Sequence, residues 1–210
     1  MTPQHDFIMT MLLILLSAAV TDNILLTRFL GMCSYLAISR EMKTSIGLGA
    51  AVCFTTTCTA TLNSLLYHYV LVPLSMRVAP LYSHAILSLQ LLLFIVVIAG
   101  FVQVVEMVVE RLSPRLYYAL GIYLPLITVN CAILGVSLFM VNKGYGVAQS
   151  AAYGFGSGLG WMMAIALMAG IQERIQHSRV PAPLRGPGIA LIVTGIMALA
   201  FMGFTGIIRI

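Results

Sequence analysis

Two cysteines, Cys33 and Cys131, have the clearest chemical potential in this chain of 210 residues. Each stands beside small or polar residues within an apolar stretch, in the runs NILLTRFLGMC and LPLITVNCAILG. A disulfide between them would have no evident purpose in a bundle already held by packing. A single tetrahedral metal needs four ligands, and no further thiol or histidine lies nearby in sequence. His5, His68, His84 and His177 all fall near the ends of apolar runs or in connections. An iron–sulfur cluster usually takes four cysteines, so two from this chain would need two from a partner. Spacing alone leaves that reading open beside plain packing, since cysteine is among the most commonly buried residues. The remaining pair, Cys53 and Cys58, is five residues apart on one helix. At ~100° per residue they point roughly 140° from each other. They cannot chelate one ion, and packing is their reading.

Acidic residues inside apolar runs are the second signal. Glu106 lies well within one, and Gln103, Glu106 and Glu110 fall on one helix face. Glu110 precedes Arg111 and reads as a solvated boundary residue. An intramembrane carboxylate is costly and is a candidate for an ion or proton path, so Glu106 is one. Asp22, in the polar triplet Thr21-Asp22-Asn23, meets the same criterion. It could equally cap the following half-helix by accepting from free amides, and Arg28 is close enough to pair with it.

The elements that must position these residues are set by the solvent. Hydrophobic residues are 60% of the chain and charged residues 8%, far below the ~25% charge of soluble domains. The net charge of +5 comes from single basic residues between apolar runs, which orient a protein in a bilayer rather than bind nucleic acid. The N-terminal MTPQHDF lacks the basic start of a signal peptide, so the first apolar segment is expected to be a retained span. Crossing the hydrocarbon core takes ~20 apolar residues. Segments at about 46–71, 85–109, 119–141, 148–171 and 188–208 qualify, and 7–38 is too long for one simple span. That first segment is expected to be a broken helix, with its polar and glycine-bearing backbone buried in protein. Arg40, Lys43, Arg111, Arg115, Arg174, Arg179 and Arg185 lie in the odd connections, against Arg77, Lys143 and the terminal Arg209 on the other side. The positive-inside rule then puts the odd connections in the cytoplasm and both termini outside.

The expected fold is all-α and integral to the membrane. It has six transmembrane helices as two inverted three-helix repeats, with the first and fourth helices interrupted. The chain forms one membrane domain, with repeat one at about 5–110 and repeat two at about 115–210. Each repeat carries one cysteine at its broken span, and the next helices begin alike, in TSIGLGA (44–50) and QSAAYGFGSG (149–158). Inverted repeats place their site near the midplane on interrupted helices. Gly154, Gly156, Gly158 and Gly160 recur every second residue and so form no single stripe. Close helix packing is their main reading, with substrate lining the alternative.

Several of these runs carry a family resemblance. FLGMC (29–33), FVQVVEMVVERLSPRLYYALGIYLPLITVNCAILGV (101–136), QSAAYGFG (149–156), ERI (173–175), VPAPLRG (180–186) and the closing IALI…MALAFMGFTG (189–206) resemble RnfA-type subunits. These belong to the Rnf ion-translocating ferredoxin:NAD oxidoreductases, and their close relatives are the NqrE subunits of sodium-pumping NADH:quinone oxidoreductases. The resemblance covers nearly the whole chain. It implies a bacterial inner-membrane subunit that pairs with an inversely oriented, RnfE-like homologue. It also implies that Cys33 and Cys131 supply half the ligands of one intramembrane [2Fe–2S] cluster, which relays electrons between flavin- and iron–sulfur-carrying subunits. That relay would be coupled to Na⁺ or H⁺ movement, and Glu106 matches an acidic position associated with the ion path. Where the family usually has Val-Asn-Asn this chain has Thr21-Asp22-Asn23, and Ser34 replaces a usual proline. No glycine-rich phosphate loop follows a strand, so the chain is expected to act as one subunit of a translocase and not alone. The competing expectations are an inverted-repeat transporter of ions or small molecules, and a structural anchor for redox subunits.

Overall fold

In the computed structural model, residues 3–39, 41–77, 83–112, 124–178, 181, 184 and 186–204 are described, and all their regular structure is helical. Of the residues used for the charge bias, Arg40, Arg115, Arg179, Arg185 and Arg209 lie outside this set, as do the start of the segment at 119–141 and the end of that at 188–208.

The chain opens with α1 (Pro3–Leu16), which continues as one π turn, Ser17–Thr21. Hydroxyls within that turn satisfy each other and the backbone: Thr21 Oγ1 donates to the Ser17 carbonyl at 2.9 Å and lies 3.0 Å from Ser17 Oγ. The helix stops at Asp22, whose φ of −113° and ψ of 48° leave the helical region. Irregular backbone follows until α2 (Met32–Ile38). Next comes α3 (Met42–Leu66), which runs through a second π turn, Tyr67–Leu71, into α4 (Val72–Arg77). A long helix, α5 (Ser83–Leu112), precedes α6 (Leu124–Thr128), a two-residue break and α7 (Cys131–Asn142). The chain closes with α8 (Val147–Gln176) and α9 (Pro187–Met202). Both expected interruptions are therefore present, at 22–31 and at 129–130.

Among the described residues, three stretches are long and apolar enough to cross a membrane: Met42–Leu74, Leu89–Val108 and Val147–Gln176. Shorter apolar helices cover Asp6–Thr21, Leu126–Asn142 and Pro187–Met202. The most apolar part of the first and third is 50% and 56% buried but that of the second only 17%, so α3 and α8 form the centre and α5 the periphery. α1 and its π turn flank α8, while α7 and α5 lie against α3.

Glycine spacing explains how the centre closes. A Cβ on Gly158 would come 2.6 Å from the Cα of Cys53, and one on Gly154 would come 3.1 Å from the Thr56 carbonyl oxygen. Gly49 meets Met162 in the same seam, so α3 and α8 run antiparallel. Gly156 and Gly160 turn the other way. Their Cβ positions fall 2.6 Å from the carbonyl oxygens of Leu15 and Ala19, which makes α1 parallel to α8. The every-second-residue pattern is thus two interleaved stripes of i, i+4 spacing, one for each neighbour. Without a hydrophobic driving force between helices in lipid, such close approach supplies the packing energy. Cys53 is buried in the α3–α8 seam, and Cys58 is less buried.

The crossing admits no added volume. Gly158→Val should destabilise the protein by about 1–3 kcal/mol through overpacking. Gly47 has nothing within 4 Å of its Cβ position. Gly47→Ala should therefore be neutral or stabilising by up to about 1 kcal/mol. Thermal unfolding of the two variants in detergent distinguishes them, and equal behaviour would contradict this packing scheme.

Candidate functional site at the two helix breaks

The first break is held by Asn23, which is fully buried. Its Oδ1 accepts from the amides of Leu25 at 3.0 Å and Leu26 at 3.3 Å. Its Nδ2 donates to the carbonyl of Ala19 at 3.1 Å and, across to α8, to that of Gly160 at 2.8 Å. The Thr27 hydroxyl donates to the Asn23 carbonyl. One side chain so caps the turn after the break and fastens it to the central helix. The capping considered for Asp22 is performed by its neighbour.

Asp22 instead gathers cations. Its carboxylate lies 3.3 Å from Arg28 Nε and 3.2 Å from Lys143 Nζ. Arg28 also stacks over the Phe139 ring at 4.8 Å, and Lys143 over Tyr153 at 4.9 Å. The Arg28 pairing was legible in the sequence. Lys143, 121 residues distant, was not. With side-chain exposures of 23% for Asp22, 47% for Arg28 and 36% for Lys143, these pairs are screened and contribute at most about 1 kcal/mol each.

The second break is organised by Asn130, whose extended backbone (φ −74°, ψ 113°) precedes α7. Its Oδ1 accepts from the Ala132 amide at 3.0 Å, the usual way an N-cap satisfies an orphan donor. Its Nδ2 reaches Ser34 Oγ in α2 at 3.2 Å, and Ser34 Oγ donates to the Gly31 carbonyl at 3.1 Å. Ser34, where the resembled family usually carries proline, thus joins the two breaks directly.

Gly31 is the point of closest approach. Its φ of 80° is left-handed, which glycine adopts without steric cost. A Cβ there would come 2.6 Å from Trp161 Nε1, 3.0 Å from Asn130 Oδ1 and 3.1 Å from Ala132 Cβ. The Gly31 amide donates to Cys131 Sγ at 2.9 Å. Cys33 follows two residues later in the first turn of α2, and Cys131 is the first residue of α7. The structure so brings the two breaks together, and both thiols are exposed at the surface of the chain.

Among the described residues, no three of His, Cys, Asp and Glu converge on one point. The donors near the breaks are two exposed sulfurs, one already taking a backbone N–H, which is the way iron–sulfur clusters are held and tuned. Two sulfurs facing outward suit a group completed by another chain. Glu106 lies in the last third of α5, partly buried between exposed Gln103 and exposed Glu110. It makes no hydrogen bond or ion pair with a described residue. Asn23, Asn130 and Trp161 did not stand out in the sequence as site residues. The signal available was that both asparagines sit within a few residues of a break in otherwise apolar sequence.

Residues 11–208 match a family described as the Rnf-Nqr subunit, a membrane protein. The chain is 50% identical over 186 residues to the E-type subunit of the Na⁺-translocating NADH-quinone reductase from Psychromonas ingrahamii, covering 89% of this chain and 92% of that protein. Its counterpart from Marinobacter nauticus is 49% identical over 194 residues, covering 92% and 96%. That from Pseudoalteromonas translucida is 50% identical over 191 residues, covering 90% and 94%. A helical membrane protein with paired mid-chain breaks and this extent of identity has one home: the chain belongs to the Rnf-Nqr family of membrane subunits.

Proposed function

We propose that this chain is the membrane subunit through which an Rnf-Nqr complex couples electron transfer to ion translocation, with Cys33 and Cys131 supplying half the ligands of a [2Fe–2S] cluster. The observation that carries the reading is the apposition of the two breaks: the Gly31 amide on Cys131 Sγ, with both cysteines exposed. The other half of the ligands would come from a homologous, inversely oriented partner, RnfE-like in the resembled family. Such a cluster, when bound, accepts and passes on one electron within a hydrocarbon core ~30 Å thick. The chain's own residues fix the two sulfurs, close the backbone polar groups around them and keep lipid and water from the α3–α8 centre.

The inverted-repeat arrangement of six spans, with repeats at about 5–110 and 115–210, belongs to the same proposal. The displacement in sequence that superposes Ser45 on Ser150, both fully buried near the start of a long helix, also carries Cys53 onto Gly158. Those two are in contact. A residue touching its own repeat mate is what a two-fold axis requires. Parallel α1 and α8 beside antiparallel α3 fit alternating spans, and the charge bias then places the termini outside. The setting is the bacterial inner membrane, with flavin- and iron–sulfur-carrying subunits as further partners.

For the electron partners, the relatives' name favours the sodium-translocating NADH-quinone reductase branch. The run 101–136, which resembles RnfA, keeps the ferredoxin:NAD branch as the second reading. Assaying the complex with NADH and a quinone, and then with reduced ferredoxin and NAD, separates the two. Glu106, and with it Asp22, remains the candidate for the ion path. A transporter acting alone would show uptake by the chain reconstituted without partners.

Two outcomes test this. Cys33→Ala and Cys131→Ala should each remove a [2Fe–2S] paramagnetic resonance signal from the purified complex and stop electron flow; a signal surviving both replacements would refute the ligand assignment. Glu106→Gln should weaken ion pumping severalfold more than electron transfer, measured together in proteoliposomes. Equal loss of both would assign Glu106 to structure.

A further inference from the structure

Trp161 is the single tryptophan of the chain and is fully buried, yet its indole N–H has no hydrogen-bond acceptor among the described residues. A buried indole N–H usually finds a partner, and one left unpaired is expensive. Its position gives the expense a purpose. Nε1 abuts Gly31, where a Cβ would come within 2.6 Å of it. The same glycine gives its own N–H to Cys131 Sγ. One residue without a side chain therefore separates the indole from the sulfur.

The acceptors around Gly31 bond to other donors. Asn130 Oδ1 takes the Ala132 amide, Ser34 Oγ takes Asn130 Nδ2, and the Gly31 carbonyl takes Ser34 Oγ and the Tyr35 amide. The ring is enclosed in the core at 0% exposure, on a helix packed closely on both sides by Gly158 against Cys53 and Gly160 against Ala19. A donor held in place, in low dielectric, beside a site that changes charge interacts strongly with that charge.

We propose that the Trp161 indole N–H is a positioning donor for the Cys33–Cys131 site, stabilising the extra negative charge the site carries when reduced and so raising its reduction potential. The inference rests on the cluster reading above. Polar groups around iron–sulfur sulfurs set their potentials in this way.

The test is a dithionite titration of the purified complex, followed by paramagnetic resonance, with iron analysis on the same samples. Trp161→Phe should retain the iron and shift the midpoint to lower potential, and Trp161→His, which restores a ring N–H, should recover part of the shift. An unchanged midpoint in the Phe variant with full iron overturns the proposal. Should the Phe variant fail to assemble, pulsed resonance on the unsubstituted complex grown with ¹⁵N-indole tryptophan decides. A nitrogen coupling to the reduced cluster that is absent from the His variant supports the role, and no coupling overturns it. A midpoint shift read on a [2Fe–2S] signal that survives Cys33→Ala and Cys131→Ala would instead remove the cluster reading itself, a distinguishable result.

Discussion

A helix interrupted inside a bilayer leaves amides and carbonyls with no water to bond, and each one left open costs several kcal/mol. Everything distinctive about this chain follows from how two such interruptions are closed. Asn23 uses both amide hydrogens and its oxygen, the latter twice, at the first break. Asn130 closes the second with Ala132 and Ser34. Each asparagine also reaches a different element, Asn23 to α8 and Asn130 to α2. Closing the backbone groups is thus the same act as joining the breaks to each other and to the core. The site geometry at Gly31 and Cys131 is a consequence of that closure.

The charges have a different status. Asp22, Arg28 and Lys143 form a network with aromatic faces beneath it, but all three are partly exposed. Their Coulomb energy is screened, whereas the asparagine bonds act in a buried environment where their loss leaves unpaired groups. Neutralising Asp22 would leave the break largely closed; removing either asparagine would not. The network ties the polar end of the first break to the turn after α7, adding definition more than stability.

Much of this was legible in the sequence, for reasons that differ by residue. The broken first segment was visible because Thr21-Asp22-Asn23 interrupts an apolar run, and the cysteines marked both breaks because each break brings small or polar residues next to one of them. Choosing between Asp22 and Asn23 as the cap was not possible locally. Both residue types cap well, and the decision came from Gly160 on α8, far away in sequence. The glycines of α8 looked like no stripe because the helix has two close neighbours, so two i, i+4 patterns overlap. Glu106 was legible as an acid in an apolar run, but α5 lies at the periphery, and nothing in a one-chain sequence states what faces it. The six-helix count exceeds what helix length alone supports, since among the described residues three of the apolar helices have 17 or fewer residues.

Stiffness is unevenly distributed as a result. In the α3–α8 seam, glycines bring backbone against backbone, and a close-packed interface of this kind does not deform continuously. At the breaks, cohesion comes from directional side-chain hydrogen bonds among Asn23, Asn130, Ser34 and Gly31, which fix positions only while each donor keeps its acceptor. A charge arriving at Cys33 and Cys131 would act first on the groups nearest them, the Gly31 amide and the polar side chains beside it. In the glycine seam the α3 threonine hydroxyls are already bonded to carbonyls of their own helix and offer such a charge little to pull on. The fold therefore sets an electrostatically responsive layer against a rigid one, with Gly31 bonded to the Cys131 sulfur and abutting the α8 indole.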